Sequence, residues 1–303
     1  EVLLNRERAE KSVNEAVAQP LSVDLETAIS GVYNVATSQI AEAIQTITIE
    51  NGSDPRNYSL VAFGGGGPLH AAAVAKELGI NRIIIPKHPG LFSARGISTA
   101  DFNHDYIRSF IGSFLEMSTE TILGILLELE ESAHRDLDVE KIDSKNRQLI
   151  HSFDLRYIGQ TTEINIPVIW NENNRVFEKE QIIDKFHKSH RDIYSYNVED
   201  EPVELVNIRL RAIGRVDKPP LREVSLENGL LADAKERQVL LPGTKVSQTV
   251  PVYQRASLNA ERKLIGPAII EESSSTTIVL EEMEISVDKF ENIIIQLIMP
   301  DDT

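Results

Sequence analysis

One short segment constrains the fold of this chain more than any other. Residues 60–63 form an apolar run rich in β-formers, and four glycines follow them directly. Pro68 then stands at a suitable first helical position, and residues 69–78 are a helix-forming run. The sequence therefore predicts a strand, a glycine turn and a helix in immediate succession.

The four glycines of this turn are Gly64, Gly65, Gly66 and Gly67. Glycine lets the backbone adopt positive φ, and it lets a ligand approach with no Cβ in the way. The exposed amides and the positive end of the following helix attract phosphate or another anion. A tight structural turn without a ligand is the alternative, because a glycine cluster alone does not specify a binding site.

The composition narrows the class of protein. A chain of 303 residues can form two domains with a core each, and 41% hydrophobic with 26% charged residues is typical of a soluble globular protein. The net charge of −16 argues against a nucleic-acid binder, which needs a basic face. Nucleotide binding stays possible, since it needs only a local cluster of amides and a metal ion.

The absence of cysteine and of long apolar runs points to a cytoplasmic protein. With no cysteine, disulfides, thiolate nucleophiles and cysteine-based zinc sites are excluded. No apolar run approaches the ~20 residues of a membrane helix, and no signal region follows the first residues. The sequence does not begin with methionine, so we expect a fragment of a longer protein.

The first third predicts an α/β arrangement. Residues 23–50 form a long helix that ends at Gly52, followed by a strand at 58–63, a helix at 68–78 and a parallel strand at 82–85. Apolar residues that recur at intervals of three and four are expected on one face of the long helix: Ile29, Val32, Ala36, Ile40, Ala43, Ile44 and Ile47. A helix rich in small residues at 91–100 completes this part.

The remainder predicts an α+β region that ends in a β-rich module. Its helices and longer strands are expected at 118–138, 148–157, 162–168, 178–194 and 203–213. Short β segments follow at 238–241, 247–253, 268–271, 276–280 and 284–296. The character of the sequence changes near residue 109, so we expect one domain over residues 1–108 and a second over 109–303.

Several motifs resemble those of the hydantoinase A/5-oxoprolinase family. Residues 61–71 resemble its F-G-G-x-G-P-L-H-A motif, and residues 89–96 its P-G-x-F-S-A-x-G motif. Further matches follow in the family's order at 103–105, 154–160, 266–271, 276–277, 287–288 and 292. One departure is residues 281–284, which replace a proline–glycine turn. The order of elements over 23–100 resembles the second half of the actin-like (ribonuclease H-like) ATPase fold.

The resemblance covers only the C-terminal half of that family, because the aspartate-glycine-glycine-threonine phosphate loop is absent. It implies one wall of an ATP cleft in an enzyme that opens cyclic amides such as 5-oxoproline or a hydantoin, with ATP and Mg²⁺ as cofactors. Close relatives carboxylate ketones instead. It implies as partners the missing N-terminal half and a B-type subunit, with a homo-oligomer also possible; the catalytic residues are unknown.

The same resemblance implies the cofactor-binding residues. The four glycines lie against the ribose and α-phosphate side of ATP, Pro68 starts the helix that faces the ligand, and His70 contacts a phosphate, a metal or the partner half. A histidine packed beside the loop is the alternative for His70.

Three other sets of polar residues have a purely structural interpretation as well as a functional one. His187 and His190 have metal-ligand spacing, but exposed or interface histidines are the simpler interpretation. Asp154, Arg156 and Glu163 form either a polar site or a cross-strand ion pair. The acidic residues Glu128, Glu130 and Glu131 are expected to form a solvated helix face, in which Glu131 pairs with Arg135.

Two other functions remain open on the sequence. An actin-like-fold small-molecule kinase would share the glycine loop, although the motif at residues 89–96 and the long β-rich half disfavour it. A non-catalytic assembly or regulatory module would explain the absent phosphate loop.

Overall fold

A computed structural model describes residues 5–168, 177–223, 234–244, 246–258 and 263–298. Contacts between Cα atoms divide the chain into two compact units. The first unit comprises Glu1–Ser98 together with Pro220–Thr303, and the second comprises Thr99–Pro219.

Helices and strands alternate in the middle of the chain, whereas the described residues after α7 form strands joined by loops and short turns. The helices are α1 Arg6–Val13, α2 Gln19–Leu21, α3 Leu25–Glu50, α4 Gly67–Leu78, α5 Phe92–Thr99, α6 Thr119–Val139 and α7 Lys179–Tyr194. The strands are β1 Leu60–Val61, β2 Arg82–Ile85, β3 Phe102–Ser113, β4 Arg147–Tyr157, β5 Ile164–Pro167, β6 Val203–Gly214, β7 Lys235–Val239, β8 Gln248–Gln254, β9 Leu264–Ile265, β10 Ala268–Glu271, β11 Thr276–Val279, β12 Met283–Val287 and β13 Ile293–Leu297.

The predicted strand–helix–strand unit is confirmed. Strands β1 and β2 pair in parallel, with Leu60 opposite Ile83, and α4 connects them. Gly79 ends α4 at a φ of 68°. The prediction of one long helix at 23–50 is also confirmed, since α3 begins after an Asp24 cap, whose side chain accepts a hydrogen bond from the Thr27 amide at 2.8 Å.

Most of the large side chains on the predicted apolar face of α3 are exposed. Ile29, Val32, Ile40 and Ile47 are 36%, 50%, 39% and 61% exposed. The residues of α3 that are buried are Ala28, Thr37 and Ala41. Helix α4 packs on the side of Thr37, because Thr37 bonds His70 and Tyr33 donates a hydrogen bond to the Leu69 carbonyl at 2.9 Å.

Two sheets build the first unit. One has the strand order β1-β2-β13-β12-β9, and the other β11-β10-β8-β7. The core residues Ile83, Ile85, Ile293 and Ile295 are at most 1% exposed where β2 meets β13. Since burial of apolar side chains is the main favourable term in folding, this pairing holds strand β13 against strand β2.

This pairing corrects the predicted domain over 109–303. Strands β9, β12 and β13 belong to the sheet of β1 and β2, and therefore to the first unit. The segment predicted as one strand at 284–296 is two strands, because Asp288 accepts hydrogen bonds from the Phe290 and Asn292 amides and turns the chain. At the preceding turn, Glu282 takes a φ of 60° where the resembled family has a proline–glycine turn.

The second unit is one antiparallel sheet, ordered β3-β6-β4-β5, with α6 and α7 in the same unit. Its core contains the fully buried Phe153, Leu155, Ile208, Phe114 and Phe186. The predicted helices and strands of this unit are confirmed, with ends that differ by a few residues. Strand β3 was not predicted, because most of its side chains, apolar and polar alike, are exposed, so it carries little alternating pattern.

Candidate functional site

The glycine loop between β1 and α4 needs glycine for its backbone at one position. Gly64 has a φ of 82°, and its amide donates a hydrogen bond to the Pro89 carbonyl at 2.8 Å. Gly66 has a φ of −103° and a ψ of −18°, which any residue adopts. Positive φ therefore accounts for Gly64 alone among the four glycines.

The middle of the loop is open space. Gly65 and Gly66 are exposed, and a Cβ built on Gly66 meets no heavy atom within 4 Å. A Cβ on Gly65 would lie 3.7 Å from the Ser274 carbonyl oxygen, an ordinary contact. In the described part of the chain, no protein acceptor takes a hydrogen bond from the amide of either residue. The loop thus presents free amides at the N-terminus of a 12-residue helix, an arrangement that favours an anion.

Pro68 and Gly67 shape the start of that helix. Pro68 is buried in the first turn of α4, where a residue without an amide hydrogen loses nothing. A Cβ on Gly67 would lie 3.7 Å from the Ala62 carbonyl carbon, so the loop folds closely over the end of β1.

The turn between β10 and β11 forms a second wall beside the loop. A Cβ on Gly90 would lie 2.5 Å from the Cβ and Oγ of Ser274, so glycine is required for this approach. Ser274 itself is exposed and adjoins both Gly90 and Gly65. Sequence reasoning missed Ser274; the run of three serines between two predicted strands was the available signal.

A buried ion pair holds this turn in place. Arg255 Nη1 lies 2.9 Å from Glu272 Oε1, and the two side chains are 13% and 10% exposed. Ser275 Oγ donates to the same Glu272 oxygen at 3.0 Å. Arg255 Nη2 also donates to the carbonyls of Ile85 and Glu291, at 3.1 and 2.9 Å. Arg255 therefore links three segments: the end of β2, the turn between β12 and β13, and the β10–β11 turn that lies beside the glycine loop.

His70 lies in the first turns of α4 and faces α3. Its Nδ1 is 3.0 Å from Thr37 Oγ1, and its ring stacks on Tyr33 with centroids 4.7 Å apart. Burial lowers the pKa of His70, so the neutral ring is favoured in the fold. These contacts support a packing role, and a ligand contact by His70 stays a prediction.

We expect the chain to lose stability as the pH falls below about 6.5, the ordinary histidine value, because the unfolded state then binds a proton that native His70 resists. The stabilisation is present above that pH. His70→Asn should flatten the dependence, because asparagine does not titrate in this range. Urea unfolding near pH 5 and near pH 8 measures it. Equal pH slopes for His70→Asn and the wild type would contradict the assignment.

The histidines with metal-ligand spacing are internal packing groups. His187 and His190 are 8% and 1% exposed, so the expectation of exposed or interface histidines is wrong. Tyr157 Oη lies 2.7 Å from His187 Nδ1, and His190 Nδ1 lies 2.7 Å from the Tyr196 carbonyl oxygen. Among the residues that the structure describes, no cluster of three or more potential metal ligands occurs.

The charged residues of β4 form ion pairs across strands. Arg156 Nε lies 2.7 Å from Glu204 on β6, and the buried Asp154 lies 2.5 Å from Arg209 on the same strand. Asn165 and Asn207 donate further hydrogen bonds to Asp154. The cross-strand alternative thus holds for Asp154 and Arg156, with partners other than Glu163.

The expected solvated acidic face of α6 is partly confirmed. Arg135 pairs with Glu131 at 2.9 Å, as the spacing of four predicted. Glu130 instead bonds the buried His151 at 2.9 Å with only 12% of its side chain exposed. Within the described residues, no helix is long and apolar enough to cross a membrane.

Comparison with known families decides the relationship that the motifs suggested. The family model described as hydantoinase/oxoprolinase matches residues 1–106, and the model of the hydantoinase/oxoprolinase C-terminal domain matches residues 115–297. The chain belongs to the hydantoinase/oxoprolinase family. The two models meet near the predicted boundary at 108, although β9, β12 and β13 return to the first unit.

Relatives of this hydantoinase/oxoprolinase family member include enzyme subunits. An uncharacterized protein of Methanocaldococcus jannaschii is 30% identical over 95% of this chain and 40% of its own length. The caprolactamase subunit alpha of Pseudomonas jessenii is 26% identical over 95% of this chain and 42% of its own. The chain thus spans about two fifths of the length of these relatives.

Solved structures share the fold. The crystal structure of ATP-dependent caprolactamase from Pseudomonas jessenii superimposes with a TM-score of 0.74 at 25% identity, over 97% of this chain and 43% of that one. A nucleotide-free acetone carboxylase structure superimposes with a TM-score of 0.77 at 20% identity, over 98% and 43%. The mixed α/β fold is therefore that of both enzymes.

Proposed function

We propose that this chain supplies one wall of the ATP site in an ATP-dependent enzyme that opens cyclic amides. The observation that carries the proposal is the open glycine loop at the N-terminus of α4, where no acceptor among the described residues takes a hydrogen bond from the amides of Gly65 and Gly66. Membership of the hydantoinase/oxoprolinase family and the similarity to an ATP-dependent caprolactamase support the reaction class.

The residues of the loop fit part of a nucleotide. The glycines leave the space that a Cβ would fill, and the helix N-terminus favours the negative charge of a phosphate. The exposed Ser274 lies at the rim of the same space. On this proposal, Gly64 to Gly67 lie against the ribose and α-phosphate side of ATP, and Pro68 orients the helix.

The described residues do not by themselves form a set of ligands for Mg²⁺, because no cluster of three acidic or histidine side chains occurs among them. The metal ligands and the phosphate loop are therefore proposed to belong to the region that the longer relatives possess. This arrangement is that of an actin-like ATPase, in which two halves enclose the nucleotide.

The chemistry of cyclic amides explains the need for ATP. An amide carbonyl is a poor electrophile, and bound ATP supplies the phosphoryl group that makes its oxygen a leaving group. The contribution of this chain is positional and electrostatic. Its loop amides hold and orient phosphate oxygens, and fixed dipoles of this kind stabilise charge that develops in the reaction.

Two further parts of the proposal concern assembly. The caprolactamase relative is named as a subunit, which supports a partner subunit for the present chain; that this partner is of the B type is part of the proposal. A homo-oligomer remains compatible with this. Membership of the family makes a small-molecule kinase the weaker alternative, and a non-catalytic module would share the fold without turnover.

We expect the 303-residue chain alone to bind ATP weakly or not at all, because half of the phosphate-binding surface is missing. In the longer protein or complex that contains it, ATP turnover should rise when a cyclic amide is added. Calorimetry on the chain and phosphate release from the complex, with 5-oxoproline, hydantoin and caprolactam, measure the two expectations. Micromolar ATP binding by the isolated chain would contradict the proposal that this chain forms only one wall of the ATP site. A complex that no cyclic amide stimulates would contradict the reaction class.

A further inference from the structure

The long helix α3 carries an uncovered apolar row, which we call the α3 row. Its members recur at intervals of three and four: Ile29, Val32, Ala36, Ile40, Ala43 and Ile47. At about 100° per residue they fall within an arc of roughly 80°. The four large side chains of the row are 36–61% exposed, Ala43 is exposed and Ala36 is half-buried.

The α3 row is distinct from the side on which α3 already packs. Thr37 and Ala41 point toward α4 and are buried, roughly a quarter turn away from the row. The opposite side carries the exposed polar residues Thr27, Asn34, Ser38 and Gln45. Helix α1 and the helical segment at residues 14–18 pack beside the N-terminal part of α3, where Ala28 is buried. The large side chains of the row stay exposed next to both packed sides.

Size and continuity distinguish the α3 row from ordinary surface residues. Single exposed apolar side chains are normal on soluble proteins. The row instead has no charged member along the 19 residues from Ile29 to Ile47, which span roughly 27 Å of helix at 1.5 Å per residue. A contiguous apolar surface of this kind marks a site of protein–protein contact.

We propose that the α3 row is the docking surface for the region of the longer hydantoinase/oxoprolinase polypeptides that lies outside the part matched by these 303 residues. Caprolactamase and acetone carboxylase contain the present fold almost whole, at 97% and 98% of this chain, yet it accounts for 43% of each of their chains. In both proteins, more than half of the polypeptide remains to pack around the same fold.

The occupant is expected to present an apolar groove or helix face. Leucine, isoleucine and valine positions of that partner would receive Ile29, Val32, Ile40 and Ile47 as anchors at helical spacing. In the sequence, α3 comes directly before strand β1 and the glycine loop of the proposed ATP wall. A partner docked on α3 therefore binds the element that leads into that loop. The inference thus rests on the proposed function for the identity of the partner, while the contact itself needs no nucleotide.

The chain contains no cysteine, which allows a direct test by labelling. Val32→Cys and Ile47→Cys place a thiol on the α3 row, and Glu42→Cys places one between them on an exposed polar side of the same helix. Maleimide labelling rates are measured by peptide mass spectrometry for the chain alone and for the longer protein or complex. In the longer protein, we expect the labelling rate of the row thiols to fall by at least about tenfold, because the core of an interface excludes solvent. The Glu42→Cys thiol should keep its labelling rate.

The outcomes separate this inference from the proposed function. Row thiols that label in the longer protein as fast as in the isolated chain would overturn it. Row thiols already protected in an isolated chain that elutes as a dimer would also overturn it, in favour of a second copy as occupant. Protection in a complex without ATP turnover would support the docking surface and count against the enzyme function alone.

Discussion

Replacing Gly66 with valine in the longer protein is expected to lower ATP turnover by about 100-fold or more, the loss typical of a disturbed catalytic dipole. The valine side chain would occupy the space that the loop leaves for a phosphate. The protein itself tolerates a Cβ there, because no heavy atom lies within 4 Å and the φ of −103° suits any residue. Gly65→Val is expected to act in the same way.

The matched control for this substitution is Gly124→Val on α6. Gly124 is also exposed, and a Cβ there also meets no atom within 4 Å. Its turnover should equal that of the wild type. The free energy of unfolding should change by about 1 kcal/mol or less in Gly66→Val, the usual scale of an altered helix cap. Calorimetric ATP affinity and phosphate release measure the effect, and unchanged affinity in both loop variants would make the loop a structural turn.

Arg255→Met is expected to lower the free energy of unfolding by about 3 kcal/mol, because removing one partner of a buried pair leaves an uncompensated charge. Glu272 would keep its carboxylate at 10% exposure with Ser275 as remaining partner. The carbonyls of Ile85 and Glu291 would each lose a donor. Urea unfolding followed by circular dichroism measures the change.

Arg237→Met provides the same chemical change at an exposed ion pair. Arg237 lies 2.7 Å from Glu271, with side chains 52% and 28% exposed. Such pairs are worth about 1 kcal/mol or less. If both variants lose the same stability, the Arg255 network does not fix the turn that carries Ser274.

The local elements of this protein were determined by the sequence itself. Strand, helix and turn at the glycine loop follow from β-formers, glycine and proline within a dozen residues, and the parallel pairing follows from the short crossover. The family could be identified from sequence motifs that occur in the family's order along the chain. The partners of Asp154 and Arg156 lay on β6, about 50 residues away, and only the type of contact was predictable.

Only the tertiary structure decided which distant segments meet. The pairing of β13 with β2 brings residues more than 200 positions apart into one sheet, and it carries no local signature because a strand pattern does not specify its neighbour. Contacts equally distant in sequence place Ser274 beside the glycine loop and Arg255 at the end of β2. On α3 the spacing of apolar residues established an amphipathic helix, but periodicity describes one helix and not what packs against it. The packing of α4 beside Thr37 therefore left the apolar row of α3 uncovered.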